Sequence, residues 1–181
     1  MASAGGYVVH EGCDHIFFVG FHGAGKSTLA RNLGGLFRRD YVDTDRMVER
    51  MCGLSVCQIF EREGEEAFRR DEAKVLRGLL DRKSLLVSCG GGIVEGRESC
   101  ELMHRMGTVV YLDGDVEDSL RQLRHPELRP DFATVDCARS LHGRRRPLYE
   151  ATSDYTIDIR NRTFEQVCAD AAQLLWEKGL L

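Results

Sequence analysis

The sequence predicts an α/β fold: a three-layer, doubly wound domain around a five-stranded parallel sheet. Two observations carry that expectation. Short apolar runs alternate with longer segments of helical periodicity, and a glycine-rich turn stands between the first apolar run and the first helical segment.

Strands are expected near 15–19 (HIFFV), 41–43 (YVD), 84–88 (SLLVS), 108–112 (TVVYL) and 155–159 (YTIDI). Apolar runs this short suit strands covered on both faces. Helices are expected at 26–38, 46–52, 56–62, 65–81, 97–105, 115–124, 134–150 and 163–177, linked to the strands by right-handed crossovers. No repeat or linker divides the chain, so residues 15–181 read as a single domain and residues 1–14 as a loose leader. The segment 125–133, HPELRPDFA, has two prolines and no clear periodicity, and reads as a mobile loop.

With 181 residues, 43 % of them hydrophobic, such a domain buries about 70 % of the surface of its unfolded chain. The net charge of −4 argues against a nucleic-acid partner, although 21 of the 25 basic residues are Arg, the side chain that grips carboxylates and phosphates in a two-pronged geometry. The seven cysteines (13, 52, 57, 89, 100, 137 and 168) show no CxxC spacing, and read as small core residues in a reducing compartment. Residues 1–14 have neither a basic start nor an apolar run fit for a signal peptide, and no apolar stretch reaches membrane-spanning length. A cytoplasmic protein with no membrane partner is expected.

Residues 20–28, GFHGAGKST, satisfy GxxxxGK[ST] after a strand and before a helix. In that arrangement the backbone N–H groups of Gly23, Ala24, Gly25, Lys26, Ser27 and Thr28 wrap nucleotide phosphates. Lys26 reaches the β/γ oxygens and Ser27 ligates Mg²⁺. His22, at the loop tip, has no partner visible in the sequence and reads as a spectator. A phosphate cradle serves switches, motors and kinases alike. The guanine-reading NKxD of GTPases is absent, and the apolar strand LLVSCGGG ends on Ser88 and glycines where a motor would place an acid.

The acids lie elsewhere. Asp43-Thr44-Asp45 closes the second expected strand on the rim where the phosphate loop opens. One carboxylate there suits a metal-bound water and the other an acceptor hydroxyl. In GEEAFRRDEAKVL, residues 64–76, Arg69 and Glu72 share a helix face while Arg70 and Asp71 point away. Gly90-Gly91-Gly92 permits close backbone approach to a ligand, and GRRRPLYE, residues 143–150, sets three arginines before a Pro-Leu-Tyr stop. Taken singly, each of these also reads as a solvated face or a surface turn.

As a set, GFHGAGKST, DTD, FRRDE, GGGIV, the LRP of the 125–133 loop and RRPLY resemble the shikimate kinases, a branch of the nucleoside-monophosphate-kinase-like P-loop kinases. The resemblance spans roughly residues 15–177. It implies ATP-dependent phosphorylation of the 3-hydroxyl of shikimate, with ATP as co-substrate and Mg²⁺ as metal, in a monomer of the aromatic amino-acid pathway. It further implies that Asp45 accepts from the ring hydroxyls and orients or deprotonates the 3-hydroxyl. Arg69 and Arg145 would clamp the carboxylate, the Gly91 N–H would donate to the acceptor, and Asp43 with Ser27 would hold Mg²⁺, Asp43 through water. Glu72 would orient Arg69 or a water, Arg129 would be the arginine of a lid near 125–133, and Arg162 would border the adenine. Arg145 is chosen within Arg144–Arg146 because it stands two before Pro147. The lid departs from the family: Arg129-Pro130 is followed by Asp131-Phe132 where the family has two leucines, and the interval to Arg145 is shorter. Two other readings follow from that departure and from the phosphate loop alone: a divergent kinase for a related hydroxylated carboxylate, and a nucleotide-binding regulatory module without transfer activity.

Overall fold

The computed structural model describes residues 14–122 and 134–181. Five parallel strands, β1 (His15–Val19), β2 (Tyr41–Asp43), β3 (Leu86–Ser88), β4 (Gly107–Asp113) and β5 (Tyr155–Asp158), form one sheet in the order β2-β3-β1-β4-β5. β1 is central, with Phe17 opposite Val87 on one side and Val109 on the other. All five of its residues are buried, because both faces of the sheet are covered.

Alternation along the strands separates two cores. Phe17, Val19, Val87, Val109 and Tyr111 pack toward α3 (Val56–Arg77), α4 (Arg97–Met106) and α6 (Val135–Thr152). Ile16, Phe18, Leu86, Val110 and Leu112 face α1 (Lys26–Phe37) and α7 (Phe164–Glu177). Removing one such aromatic side chain costs about 3–5 kcal/mol through lost transfer energy and the cavity left behind. α2 (Thr44–Cys52) lies on α3 over a smaller cluster of Val48, Ile59, Phe68 and Val75, and α5 (Val116–Gln122) follows β4. No helix among the described residues is long and apolar enough to cross a membrane.

Three local features of the helices bear on the site, the first a departure from the expected elements. α2 begins at Thr44 rather than 46, because the Asp43 carboxylate caps it by accepting from the Arg46 N–H at 3.3 Å. Asp45 therefore sits in the first turn of a helix and not at a strand end. The helices expected at 56–62 and 65–81 meet, as the sequence predicts, at Gly64, whose φ of 81° breaks the regular backbone, and the second ends at Arg77. α6, expected at 134–150, runs through Pro147 to Thr152 and carries Tyr149 inward on the same helix as Arg145. Proline gives up one backbone hydrogen bond there, and burial of the Tyr149 ring offsets that loss. The cysteine expectation also needs correction: of the described cysteines only Cys89 is buried, and Cys137 is exposed.

The sheet order places the chemistry. The connection leaving β1 leads toward β2, whereas that leaving β4 leads toward β5, so a crevice opens at the carboxyl ends of the central strands. The glycine-rich loop, Asp43, and Gly90–Gly92 all emerge on that edge, from β1, β2 and β3 respectively.

Candidate active site

The loop from Gly20 to Gly25 turns through φ values of 145° at Gly20, 80° at Gly23 and 81° at Gly25. At Gly23 a side chain is excluded twice, since its Cβ would also stand 2.5 Å from the Ser119 carbonyl oxygen of α5. Gly25 is the N-cap of α1 and supplies no side-chain hydrogen bond, which leaves the amides of the first turn available to an anion. Lys26 is buried, and its Nζ donates to the carbonyl oxygens of Gly20 and Phe21 at 2.8 Å each. The ammonium thus lies within the loop's curve, where the oxygens of a bound anion would compete with those carbonyls for its protons. Ala24 is buried and Thr28 exposed at the outer edge.

Ser27 Oγ donates to Asp43 Oδ2 at 2.7 Å and lies 2.9 Å from Ser88 Oγ. These hard oxygen donors from α1, β2 and β3 suit Mg²⁺, which takes one or two protein ligands and completes its shell with phosphate and water. Among the described residues no group of three or more His, Cys, Asp and Glu side chains offers a denser metal cage.

Beside this corner, Thr44 Oγ1 accepts from the Gly90 N–H at 2.8 Å and ties the glycine turn to α2. A Cβ on Gly90 would collide with Asp45 Oδ1 and stand 2.9 Å from Glu72 Oε1, so the two carboxylates meet over that glycine. Glu72 is fully buried, and its Oε1 has no hydrogen-bond partner among the described residues. Burial pushes its carboxyl up to about 7, with the Asp45 charge adding to the rise, against the opposing pull of Arg69 and Arg145. Arg69 is held above its ordinary value even though burial opposes its charge, because Glu72, Glu65 and Glu95 surround it. The two partners rise for different reasons: three acids surround Arg69, whereas at Glu72 burial, with the Asp45 charge added, outweighs the pull of Arg69 and Arg145.

Arg69 Nη1 donates to Glu72 Oε2 at 2.9 Å, and its Nη2 donates to Glu65 Oε1 and Glu95 Oε2, each at 3.1 Å. Arg145 reaches the same Glu95 oxygen through Nε at 3.1 Å and Nη2 at 2.8 Å, although only 1 % of its surface is exposed. Its Nη1 lies 3.3 Å from His22 Nε2. Both guanidiniums press on Gly92, where a Cβ would overlap Arg69 Nη2 and stand 2.8 Å from Arg145 Nη2. Of its neighbours, Arg144 is exposed and donates to Glu95 Oε1 at 2.9 Å, while Arg146 turns to Asp113 and Glu150. Arg70 and Asp71 point elsewhere, to Glu66 and Cys52.

The structure therefore brings Lys26, Ser27, Asp43, Asp45, Arg69, Gly91 and Arg145 to one rim. Arg162, in the turn after β5, pairs with Asp170 of α7. Arg129 and the 125–133 loop lie outside the described residues. Sequence reasoning missed Glu95, which bridges both arginines, and Tyr149, whose hydroxyl donates to the Gly91 carbonyl while its ring stacks on Tyr111 at 5.1 Å. It also read His22 as a spectator, whereas the ring is buried against Gly91 and Arg145. Only the strict Gly-Gly-Gly run hinted at such crowding.

Comparison with known proteins agrees in sequence and in fold. The family model described as shikimate kinase matches residues 22–176. The shikimate kinase of Vibrio campbellii is 34 % identical over 167 residues, covering 91 % of this chain and 97 % of its own length. That of Bordetella pertussis is 40 % identical over 146 residues, covering 79 % of this chain and 69 % of its own. Among solved structures, the Acinetobacter baumannii shikimate kinase in complex with shikimate superposes with a TM-score of 0.86 at 34 % identity, covering 93 % of this chain and 96 % of that one. The Aquifex aeolicus shikimate kinase gives a TM-score of 0.76 at 30 % identity, covering 92 % and 98 %.

Proposed function

The chain belongs to the shikimate kinase family, and from that premise we propose how its own residues transfer the terminal phosphoryl group of ATP to the 3-hydroxyl of shikimate. The observation that carries this reading is the meeting of two buried or half-buried guanidiniums, Arg69 and Arg145, over Gly92 on the rim shared with the phosphate loop. A small hydroxylated acid fits there with its carboxylate on the arginines and its hydroxyls toward Asp45.

In this reading the amides of residues 23–28 and the ammonium of Lys26 hold the ATP phosphates in line with the acceptor oxygen. The oxygen–phosphorus bond to the acceptor forms as the bond to ADP breaks. Because the transition state is loose, alignment and neutralisation of charge on the moving group supply most of the acceleration. Lys26 provides part of that neutralisation, and Arg129 is assigned the same task from the 125–133 lid. Asp45 accepts the hydrogen bond of the attacking hydroxyl and takes its proton as the new bond nears completion. The Gly91 N–H donates to the acceptor, and Arg162 borders the adenine. Ser27, with Asp43 through a water, holds Mg²⁺, which supplies positive charge to the phosphate oxygens.

The proposal includes a cytoplasmic monomer with no nucleic-acid or membrane partner, in keeping with the net charge of −4. Size-exclusion chromatography with light scattering tests the monomer. For the reaction, a coupled ADP-release assay is expected to show shikimate-dependent turnover. Asp45→Asn should lower kcat by about 10²–10⁴-fold. Arg69→Ala and Arg145→Ala should each raise the KM for shikimate by on the order of 10-fold or more, the size of a lost charged hydrogen bond. Absence of shikimate-dependent ADP release, or wild-type constants in all three variants, overturns the reading.

A further inference from the structure

The arginine clamp already holds a carboxylate that belongs to the chain. Glu95 closes the 3₁₀ turn Ile93–Glu95 that follows the three glycines, and its Oε2 accepts three charge-assisted hydrogen bonds, one from Arg69 and two from Arg145. Its other oxygen accepts from Arg144, whose side chain is 64 % exposed on the solvent side of α6. Glu95 therefore stands between the clamp and an outer arginine. Burial alone would raise its carboxyl, but Arg145, Arg69 and Arg144 together hold it below the usual carboxylate range.

The donors are largely committed. Both protons of Arg69 Nη2 go to carboxylates, and the Nε–Nη2 edge of Arg145, the edge that grips a carboxylate in two-pronged fashion, is spent on Glu95. An incoming carboxylate that uses these groups exchanges with Glu95. On those protons it cannot simply add, because Glu95 already fills them and a second carboxylate set against the first is repelled by it.

We propose that Glu95 is a built-in stand-in for the acceptor's carboxylate: it occupies Arg69 and Arg145 in the ligand-free enzyme, yields them to the substrate, and remains on Arg144. The proposal rests on the reading of Arg69 and Arg145 as the acceptor clamp. It makes Glu95 a determinant of specificity, because only an anionic acceptor matches the three bonds that Glu95 gives up. It also keeps two adjacent arginines neutralised and in place before substrate arrives.

Steady-state kinetics of three variants test this. Glu95→Gln keeps the shape and removes the charge, and should lower the KM for shikimate by about 3- to 10-fold with a smaller change in kcat, the size of one charge-assisted hydrogen bond no longer exchanged. Arg144→Ala removes the group that receives the displaced carboxylate, and should raise that KM by about 2- to 5-fold. In the double variant the Arg144 effect should vanish, because Arg144 acts only through Glu95. A purely structural Glu95 would give a raised KM in Glu95→Gln, and that result overturns the proposal. Should Glu95→Gln fail to fold, the exposed Arg144→Ala decides alone: an unchanged KM overturns it. Arg69→Ala and Arg145→Ala in the same series separate the two failures. If they leave KM unchanged, the clamp reading falls; if they raise it while Glu95→Gln does not lower it, the stand-in alone falls.

Discussion

His22 Nε2 lies 3.3 Å from Arg145 Nη1, so the glycine-rich loop and the Arg69–Arg145 pair share a hydrogen bond. A guanidinium only donates, so Nε2 accepts and the ring proton sits on Nδ1. The contact is buried on both sides. It ties the glycine-rich loop directly to the arginine pair.

That contact predicts a loss of coupling between the two ligands. In wild-type protein, ADP should tighten shikimate binding, and by reciprocity shikimate should tighten ADP binding by the same factor. In His22→Ala the ratio of shikimate Kd without and with ADP should move toward one. Calorimetric titrations in both orders measure it, and an unchanged ratio would refute the coupling.

Gly92 predicts a joint loss of stability and binding. Its φ of −101° suits any residue, so Gly92→Ala strains no backbone. The added methyl would overlap Arg69 Nη2 and crowd Arg145 Nη2, and both guanidiniums are held by ion pairs that must shift to admit it. The melting temperature should fall by about 2–8 °C, the shift expected for about 1–2 kcal/mol at this size. The KM for shikimate should rise by on the order of 10-fold as the two arginines are displaced. An unchanged melting temperature together with an unchanged KM would contradict the argument.

Glu72 predicts a pH signature in stability. Its carboxyl ionises near 4.5 in an unfolded chain and at about 7 in the fold. Between those values the folded protein keeps a proton that the unfolded chain has lost, so this group's contribution falls as pH rises and levels off above about 7. The full effect is about 3 kcal/mol at most. Thermal melts of ligand-free protein from pH 5 to 8.5 should therefore show Glu72→Gln gaining on wild type as pH rises. A pH-independent difference between the two would show that Glu72 ionises normally.

The Ser27–Asp43 corner predicts a metal defect distinct from a binding defect. Asp43→Asn keeps a cap for α2 but removes the charge beside Ser27. The Mg²⁺ concentration for half-maximal activity should rise by about 10-fold or more, with the KM for shikimate within about twofold of wild type. Equal shifts in both constants would place Asp43 in the acceptor site instead.

Much of this molecule is legible in its residue pattern. HIFFV, LVS and the apolar run of β4 mark strands covered on both faces, and GFHGAGKST specifies a loop whose glycines alone tolerate its backbone. Asp43, Asp45, Arg69 and Arg145 were also visible as chemistry-bearing types at suggestive places. Local backbone preference and apolar periodicity act over a few residues, so one sequence suffices to read them. Which side chains meet across the crevice depends on the order of the strands and the rotation of each helix. Glu95 became the partner of Arg69 and Arg145 only when β3 was laid beside β1 and α6 folded over the glycine turn. His22 found Arg145 across 123 positions of chain in the same way. The burial that pushes Glu72 to about 7 likewise comes from packing around it and from no neighbour in sequence. Local physics thus wrote the glycine-rich loop into the chain, while long-range packing decided how Arg69 and Arg145 are held, and by which carboxylates.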